Sequence, residues 1–452
     1  MKILIIGASK SGKAAAHLAK SLGNEVFVTE NQLKDKFQFT INEFDAQNIS
    51  YEFGHNSLDK VDWADLIISS PGVPRDAEII KKAEVKGIEI ISEIEYSYRN
   101  CNNPIIAVTG TNGKTTTTAL IEFILNSSGK NAIAAGNIGL PFAEVIKMIN
   151  EGTNSLNEKS IIVLEVSSYQ LDRIVRFRPN VAIITNITPD HLKYHGTMGD
   201  YVETKWKICA NQNADDLLIL NIDDEYLSQN RKINSKIEYF SLQTQTGGTF
   251  VQNDEIILIN KEHKEEGLML VQHLSLPGRH NVYNSLAAIL ATRAFEVSNE
   301  NLRDALKKFE GVNHRLELIR SINEVKFIND SKATNVNSTW YALNSYDSPI
   351  IWIAGGRGDN NDYSQLDESV RRNVKKIICI GEEKEVIAQH FCAIKDCVQF
   401  ETLEEAIFDA QLSANEGEVV LFSPSCKSFD MFLNFEQRGE EFAKIVNKLT
   451  SG

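Results

Sequence analysis

The chain is poor in the features that mark membrane, secreted and nucleic-acid-binding proteins. No apolar run approaches the ~20 residues that a spanning helix needs. The opening apolar run, Ile3-Leu4-Ile5-Ile6, is only four residues long and ends at Gly7, so it reads as a first strand rather than a signal peptide. There are only six cysteines, at 101, 209, 379, 392, 397 and 426, and none is in CxxC spacing. Cys392 and Cys397 are the closest pair, and without histidine partners they do not read as a metal site. The expectation is a cytoplasmic protein with reduced thiols. Positive charge is also scarce: 47 Lys and Arg face 61 Asp and Glu, a net charge of −14. That balance argues against nucleic acid or an anionic membrane as partner, but not against phosphate ligands, which need only a few local cations.

What is present is a soluble globular composition, 42% hydrophobic and 24% charged, in a chain of 452 residues. This length is too great for one core and implies two to four domains. Strand and helix signals alternate throughout, the pattern of parallel sheets flanked by helices. In residues 1 to about 102, strands are expected at Lys2–Ile6, Glu25–Thr29 and Asp65–Ser69, with an alanine-rich helix over Gly12–Leu22. Arg99–Pro104 reads as a linker. The second unit holds strands at Ile161–Val166 and Val181–Thr185, a β-rich stretch near Phe240–Leu276, and a long helix over Asn281–Phe295. The third begins near Gly311, with strands at Val325–Ile328, Ile350–Ala354, Lys376–Ile380 and Val419–Phe422. Ligands of such open sheets sit at the carboxyl ends of the strands.

The strongest local signal is Gly110-Thr111-Asn112-Gly113-Lys114-Thr115-Thr116. An apolar run, Pro104–Val108, precedes it and a helical pattern, Thr118–Leu125, follows. Glycines let backbone N–H groups approach phosphate oxygens, the helix N-terminus faces the anion, Lys114 adds a point charge, and Thr115 or Thr116 offers a hydroxyl to Mg²⁺. Val108 stands where the eight-residue form of this loop has its first glycine. An earlier loop, Gly7-Ala8-Ser9-Lys10-Ser11-Gly12-Lys13, has the G-x-x-x-x-G-K spacing, but Ala14 replaces the metal-binding hydroxyl. It reads as a tight turn or as a diphosphate site without metal.

Other candidates follow strands. Glu165 closes an apolar strand, where it can hold Mg²⁺ or serve as a charge at a helix N-terminus. Asp190 and His191 lie in a loop after the next strand and read as metal or phosphate residues, or as structural ones. Taken alone, Lys205 and Lys207 are surface charges. Asn281 and Asn284 share one face of a helix start and suit either an adenine edge or capping. Asp330 and Lys332 are suited to positioning a nucleotide and an incoming acceptor, and the run Ser423–Asp430 offers hydroxyls and N–H groups to a carboxylate.

Taken together and in order, these segments resemble the Mur ligase family. The resemblance rests on the loop 110–116, on Gly136-Asn137-Ile138-Gly139, on Glu165-Val166-Ser167-Ser168-Tyr169-Gln170-Leu171, on Asn186–Leu192, on His280–Asn284 and on His314-Arg315. The run Asn329-Asp330-Ser331-Lys332-Ala333-Thr334-Asn335, with Ser423–Phe435 and Arg438-Gly439, is similar to the D-glutamate-adding branch. The resemblance implies three α/β domains: a Rossmann-like UDP-sugar domain at 1–102, a P-loop-type ATPase domain at 103–311 and a Rossmann-like acceptor domain at 312–452. It implies ATP-dependent joining of D-glutamate to UDP-N-acetylmuramoyl-L-alanine through an acyl phosphate, in peptidoglycan precursor synthesis, by a monomer. Lys114, His191 and Lys205 would be catalytic, with Lys205 carboxylated by CO₂. Thr115, Glu165, His191 and Lys205 would hold two Mg²⁺. Gly110 to Thr116, Asn281, Asn284, Arg315 and Asp330 would bind ATP. Ser70, Pro71, Gly72 and Asn137 would touch the nucleotide sugar, and Lys332, Thr334, Ser428 and Phe429 would frame D-glutamate. One departure stands out: Asp359 occupies the place of an expected lysine, leaving Arg357 as a candidate cation for the acceptor. Another Mur-type or folyl-polyglutamate-type ligase and, from a different class, a nucleotide-regulated binding protein are the competing readings.

Overall fold

A computed structural model describes residues 1–153, 155–260, 262–358 and 361–450. The described residues form three sheets. The first has five parallel strands, in spatial order Ser50–Phe53, Glu25–Glu30, Lys2–Ile6, Leu66–Ser69 and Ile90–Ser92. The second has nine, in the order Glu265–Leu270, Glu255–Ile259, Thr249–Gln252, Lys236–Ser241, Leu217–Asn221, Val181–Ile184, Ile105–Thr109, Ile161–Glu165 and Ala132–Gly136. Its last seven strands are parallel, whereas Glu255–Ile259 pairs antiparallel with both Thr249–Gln252 and Glu265–Leu270, within the stretch expected to be β-rich. The third has six strands, in the order Glu317–Ile322, Val325–Asn329, Val419–Phe422, Ile350–Gly355, Val374–Ile380 and Asp396–Gln399. Only its first pair is antiparallel. The expected fold class, three α/β sheets built from alternating strands and helices, is what the chain adopts.

The residues divide into two compact units, Met1–Leu274 with Tyr283–Phe309 and Ser275–Val282 with Glu310–Gly452. The first two sheets therefore share a unit. One apolar core runs through both, joining Ile3, Ile5 and Val28 to Ile105, Ile162 and Ala182. The alanine-rich helix Lys10–Ser21 buries Ala14, Ala15, Ala16 and Ala19, small side chains that let it pack closely on its own sheet and on the helix Phe142–Glu151.

Two buried carboxylates fasten the junction between these sheets. Glu95 accepts hydrogen bonds from the backbone N–H groups of Val175, Arg176 and Phe177 at 2.9 Å and from Arg99 Nε at 2.8 Å. Glu93 accepts from the Ala143 N–H at 2.6 Å, next to the start of the helix Phe142–Glu151, where a carboxylate complements the helix dipole. Burial pushes the Glu93 carboxyl up to about 7, against the pull of its hydrogen bonds. Both acids follow Ser92, which caps the helix Glu93–Tyr98 just before the expected linker.

Candidate active site

The strand Ile105–Thr109 is fully buried and delivers the chain to Gly110, with φ at 144°. A Cβ there would lie 1.9 Å from Thr185 Oγ1, so only glycine fits. The following helix starts at Lys114. Its Nζ donates to the carbonyls of Gly110 (2.9 Å) and Thr111 (2.7 Å). The adjacent strand Val181–Ile184 holds the loop from below. Thr185 Oγ1 donates to the Asn112 carbonyl at 2.6 Å, and Asn186 pairs with the Asn112 backbone through both ends of its amide (2.9 and 3.0 Å). Thr111 Oγ1 bonds the Thr188 carbonyl at 3.0 Å and lies 3.1 Å from the Tyr201 hydroxyl. These bonds from the neighbouring strand and helix hold the loop in one shape, and a loop so held has a lower ordering cost on binding.

Glu165, 2% exposed, closes the strand beside it. One carboxylate oxygen accepts from Thr115 Oγ1 at 2.7 Å, the other from Asn137 Nδ2 at 2.8 Å. Mg²⁺ takes oxygen ligands at about 2.0–2.1 Å in octahedral geometry, so neighbouring ligands stand about 2.9 Å apart. The hydroxyl–carboxylate pair fits that ion. Among the described residues no cluster of three or more His, Cys, Asp or Glu side chains could hold a metal. The donor set therefore suits an ion that takes its remaining ligands from phosphate and water. Asn137, expected at the nucleotide sugar, lies beside Glu165 and donates to it.

Lys205 is not the surface lysine its helix pattern suggests. It is 1% exposed, and its Nζ donates to the Gly110 carbonyl at 2.7 Å and lies 4.6 Å from the Tyr201 ring centre. Burial, reinforced by the charge of Lys114, holds its amine well below the ordinary lysine range, opposed by Asp190 and Glu165. Two lysine nitrogens therefore converge on one carbonyl oxygen. His191 adopts a left-handed backbone (φ 54°), with its N–H on Asp190 Oδ1 at 2.8 Å and its ring 5.0 Å from that of Tyr169.

The loop after Leu66–Ser69 carries Ser70, Pro71 and Gly72. Ser70 Oγ lies 3.4 Å from the Gly7 carbonyl, and Gly72 has φ 91°. Asn284 Oδ1 accepts from Thr117 Oγ1 at 3.2 Å in the helix behind the glycine loop.

In the second unit, Asn281 Nδ2 donates to the Pro277 carbonyl at 2.7 Å. His280, Arg315, Asp330, Ser338 and Tyr341 line one small cavity. Asp330, 4% exposed, accepts from Ser423 Oγ (2.8 Å) and the Leu316 N–H (3.2 Å). Burial pushes its carboxyl up to about 7, with Arg315 pulling it back. Lys332 and Thr334 share a turn, the Thr334 N–H donating to the Lys332 carbonyl at 2.9 Å. Lys332 Nζ stands 5.5 Å from the ring centre of Phe435, the last residue of the matching run Ser423–Phe435. Ser428 is 2% exposed and Phe429 58%. Arg357 makes a two-point pair with Glu382 (2.9 and 2.7 Å). Asp359 lies outside the described residues.

Residues 108–292 match the Mur ligase middle domain, and residues 314–426 match the glutamate ligase domain of the Mur ligases. The chain is 39% identical over 459 residues to UDP-N-acetylmuramoylalanine–D-glutamate ligase of Salinibacter ruber, covering 98% of this chain and 97% of that one. The chain belongs to the Mur ligase family. A similar likeness, 38% over 457 residues, joins it to the relative of the same name from Clostridioides difficile, covering 99% and 98% of the two chains. The crystal structure of UDP-N-acetylmuramate-alanine ligase MurC from Thermotoga maritima has the same fold, with a TM-score of 0.62 over 99% of each chain at 22% identity. Mur ligases are amide-forming enzymes that use ATP, and Mg²⁺ is typical of them.

Proposed function

We propose that this Mur ligase joins D-glutamate to UDP-N-acetylmuramoyl-L-alanine at the expense of ATP. The names of relatives matched over nearly its whole length support the choice of substrates. The observation that carries the chemistry is the Thr115–Glu165 contact at 2.7 Å beside a glycine loop on which Lys114 and Lys205 converge. The γ-phosphoryl group passes to the terminal carboxylate of the nucleotide sugar, giving an acyl phosphate and ADP. The amine of D-glutamate then attacks that carbonyl carbon, phosphate leaves, and the amine gives up a proton. Lys114 neutralises charge on the phosphates in transfer. Gly110, Thr111, Asn112, Gly113, Thr115 and Thr116 cradle them, while Asn281, Asn284, Arg315 and Asp330 hold the rest of the nucleotide.

Thr115 and Glu165 would hold one Mg²⁺ and His191 a second, and such ions would supply charge neutralisation during phosphoryl transfer. Lys205 would bear a carbamate. Burial lowers the pKa of its amine and so favours the neutral form, which adds to CO₂ by forming an N–C bond with loss of a proton. Ser70, Pro71 and Gly72 would meet the nucleotide sugar, and Lys332, Thr334, Ser428 and Phe429 the acceptor. The three sheets support domains at 1–102, 103–311 and 312–452. A cytoplasmic monomer completes the reading; among the described residues no helix is long and apolar enough to cross a membrane. The test is phosphate release with UDP-N-acetylmuramoyl-L-alanine, ATP and D-glutamate, each omitted in turn. Release that persists without D-glutamate, or that another amino acid supports better, overturns it.

A further inference from the structure

Just past Ser70-Pro71-Gly72, the loop continues through Val73 and Pro74 to Arg75. Two prolines fix φ along this stretch and leave it few conformations. Arg75 reaches out of the first sheet's loop to Asp172, which lies seven residues beyond Glu165 in the second. The contact is two-pronged: Nε donates to Asp172 Oδ2 at 2.9 Å and Nη2 to Oδ1 at 2.6 Å. The same guanidinium stands 5.1 Å from the Tyr194 ring centre, and the Tyr194 hydroxyl donates to Asp172 Oδ2 at 3.2 Å. Lys207 Nζ secures the Asp172 carbonyl at 2.8 Å. Tyr194 in turn packs at 4.4 Å against Tyr169, whose ring is 5.0 Å from that of His191. Beside it His195, 3% exposed, meets Ser168 Oγ at 3.0 Å.

We infer that Arg75 is a positioning residue for the nucleotide-sugar donor, fixing the Ser70–Arg75 loop to the segment that carries Ser168, Tyr169 and His191. The inference rests on the donor assignment above. A planar fork on a carboxylate fixes orientation as well as distance, which a lysine cannot do. Asp172 has a side chain only 10% exposed. Burial alone would raise its carboxyl, and the bonds from Arg75 outweigh that and hold it below the usual range. This pair is therefore shielded more than an ordinary surface bridge.

The experiment measures KM for each of the three substrates, kcat and the thermal midpoint in Arg75→Ala, Arg75→Lys, Asp172→Asn and the exchange Arg75→Asp with Asp172→Arg. The expected result is a donor KM raised about tenfold in Arg75→Ala and Asp172→Asn, with KM for ATP and D-glutamate within twofold of wild type. Arg75→Lys should fall between, keeping charge without the fork, and the exchange should recover part of the loss. A donor KM unchanged in Arg75→Ala overturns the inference, as does an equal rise of all three KM values with a lowered thermal midpoint. Should Arg75→Ala not fold, an unchanged donor KM in Arg75→Lys overturns it. Wild-type phosphate release that needs no D-glutamate would strike the functional reading instead, so the two failures are distinguishable.

Discussion

Two loops of this chain end a parallel strand with glycine and go on to a Gly-Lys pair, yet they are built for different ends. In the loop at 7–13 the helix already begins at Lys10, so Gly12 and Lys13 lie inside its first turn. Lys13 points along the surface to Glu43 at 3.0 Å. The Ala8 N–H, which could have met an anion, is held by Glu30 Oε2 at 2.8 Å. In the loop at 110–116 the helix begins at Lys114 itself, so its Nζ folds back over the loop, and Glu165 lies on the hydroxyl side at Thr115. Where the helix starts, rather than how far the glycine stands from the lysine, decides which loop can cradle a triphosphate. Gly12 is needed for another reason: a Cβ there would lie 1.9 Å from the Gly7 carbonyl, so it lets helix and strand approach.

The largest contrast should come from the two lysines. Lys114→Ala is expected to lower kcat by about 10³, the scale of losing a charge aimed at the transition state. Lys13→Ala should leave kcat and KM for ATP within twofold; equal effects in the steady-state assay would erase the distinction. Lys205→Met is expected to abolish ligation and yet raise the thermal midpoint. The lysine's folded pKa is depressed, so the unfolded chain binds the extra proton. Wild-type stability therefore rises with pH up to the ordinary lysine range, and the cost of burying the amine is paid below it. Unfolding in CO₂-free buffer from pH 7 to 10 should show the gain from Lys205→Met shrinking as pH rises. Gly12→Ala should destabilise by about 1–3 kcal/mol in denaturant melts through forced backbone movement, with KM for ATP unchanged in whatever remains folded. Smallest is Glu30→Gln, which weakens one charged acceptor at Ala8. A loss of about 1 kcal/mol with unaltered KM for ATP is expected, whereas a changed KM would assign the first loop to ATP.

Most interior strands were legible because interior parallel strands are apolar on both faces and read as plain hydrophobic runs. Five strands that the sequence reading does not contain, Ser50–Phe53, Ile90–Ser92, Ala132–Gly136, Glu317–Ile322 and Asp396–Gln399, all lie at sheet edges. Three of them, Ser50–Phe53, Glu317–Ile322 and Asp396–Gln399, consist almost wholly of half-buried and exposed positions and so carry a weak signal. Leu217–Asn221 and most of Lys236–Ser241 are interior strands also left out, each beside a polar, irregular connection. In the site, the residues on the glycine loop and Glu165 were legible because motif and strand end coincide. Lys205 was legible only through the family resemblance, and Arg75, Asp172 and His195 were not, since the partners that place them lie more than twenty residues away in sequence. The closeness of Phe435 to Lys332 was not legible for the same reason, since it joins segments about a hundred residues apart.

Arg438 is 1% exposed, and its guanidinium ties the Ser331 hydroxyl (3.0 Å), the Ser331 carbonyl (2.7 Å) and the Cys426 carbonyl (3.1 Å). The turn at 330–334 and the turn at 423–428 are thereby riveted to one cation. Neither can loosen alone, so their amides should exchange with deuterium as a single cooperative block, at one common rate set by the opening of both.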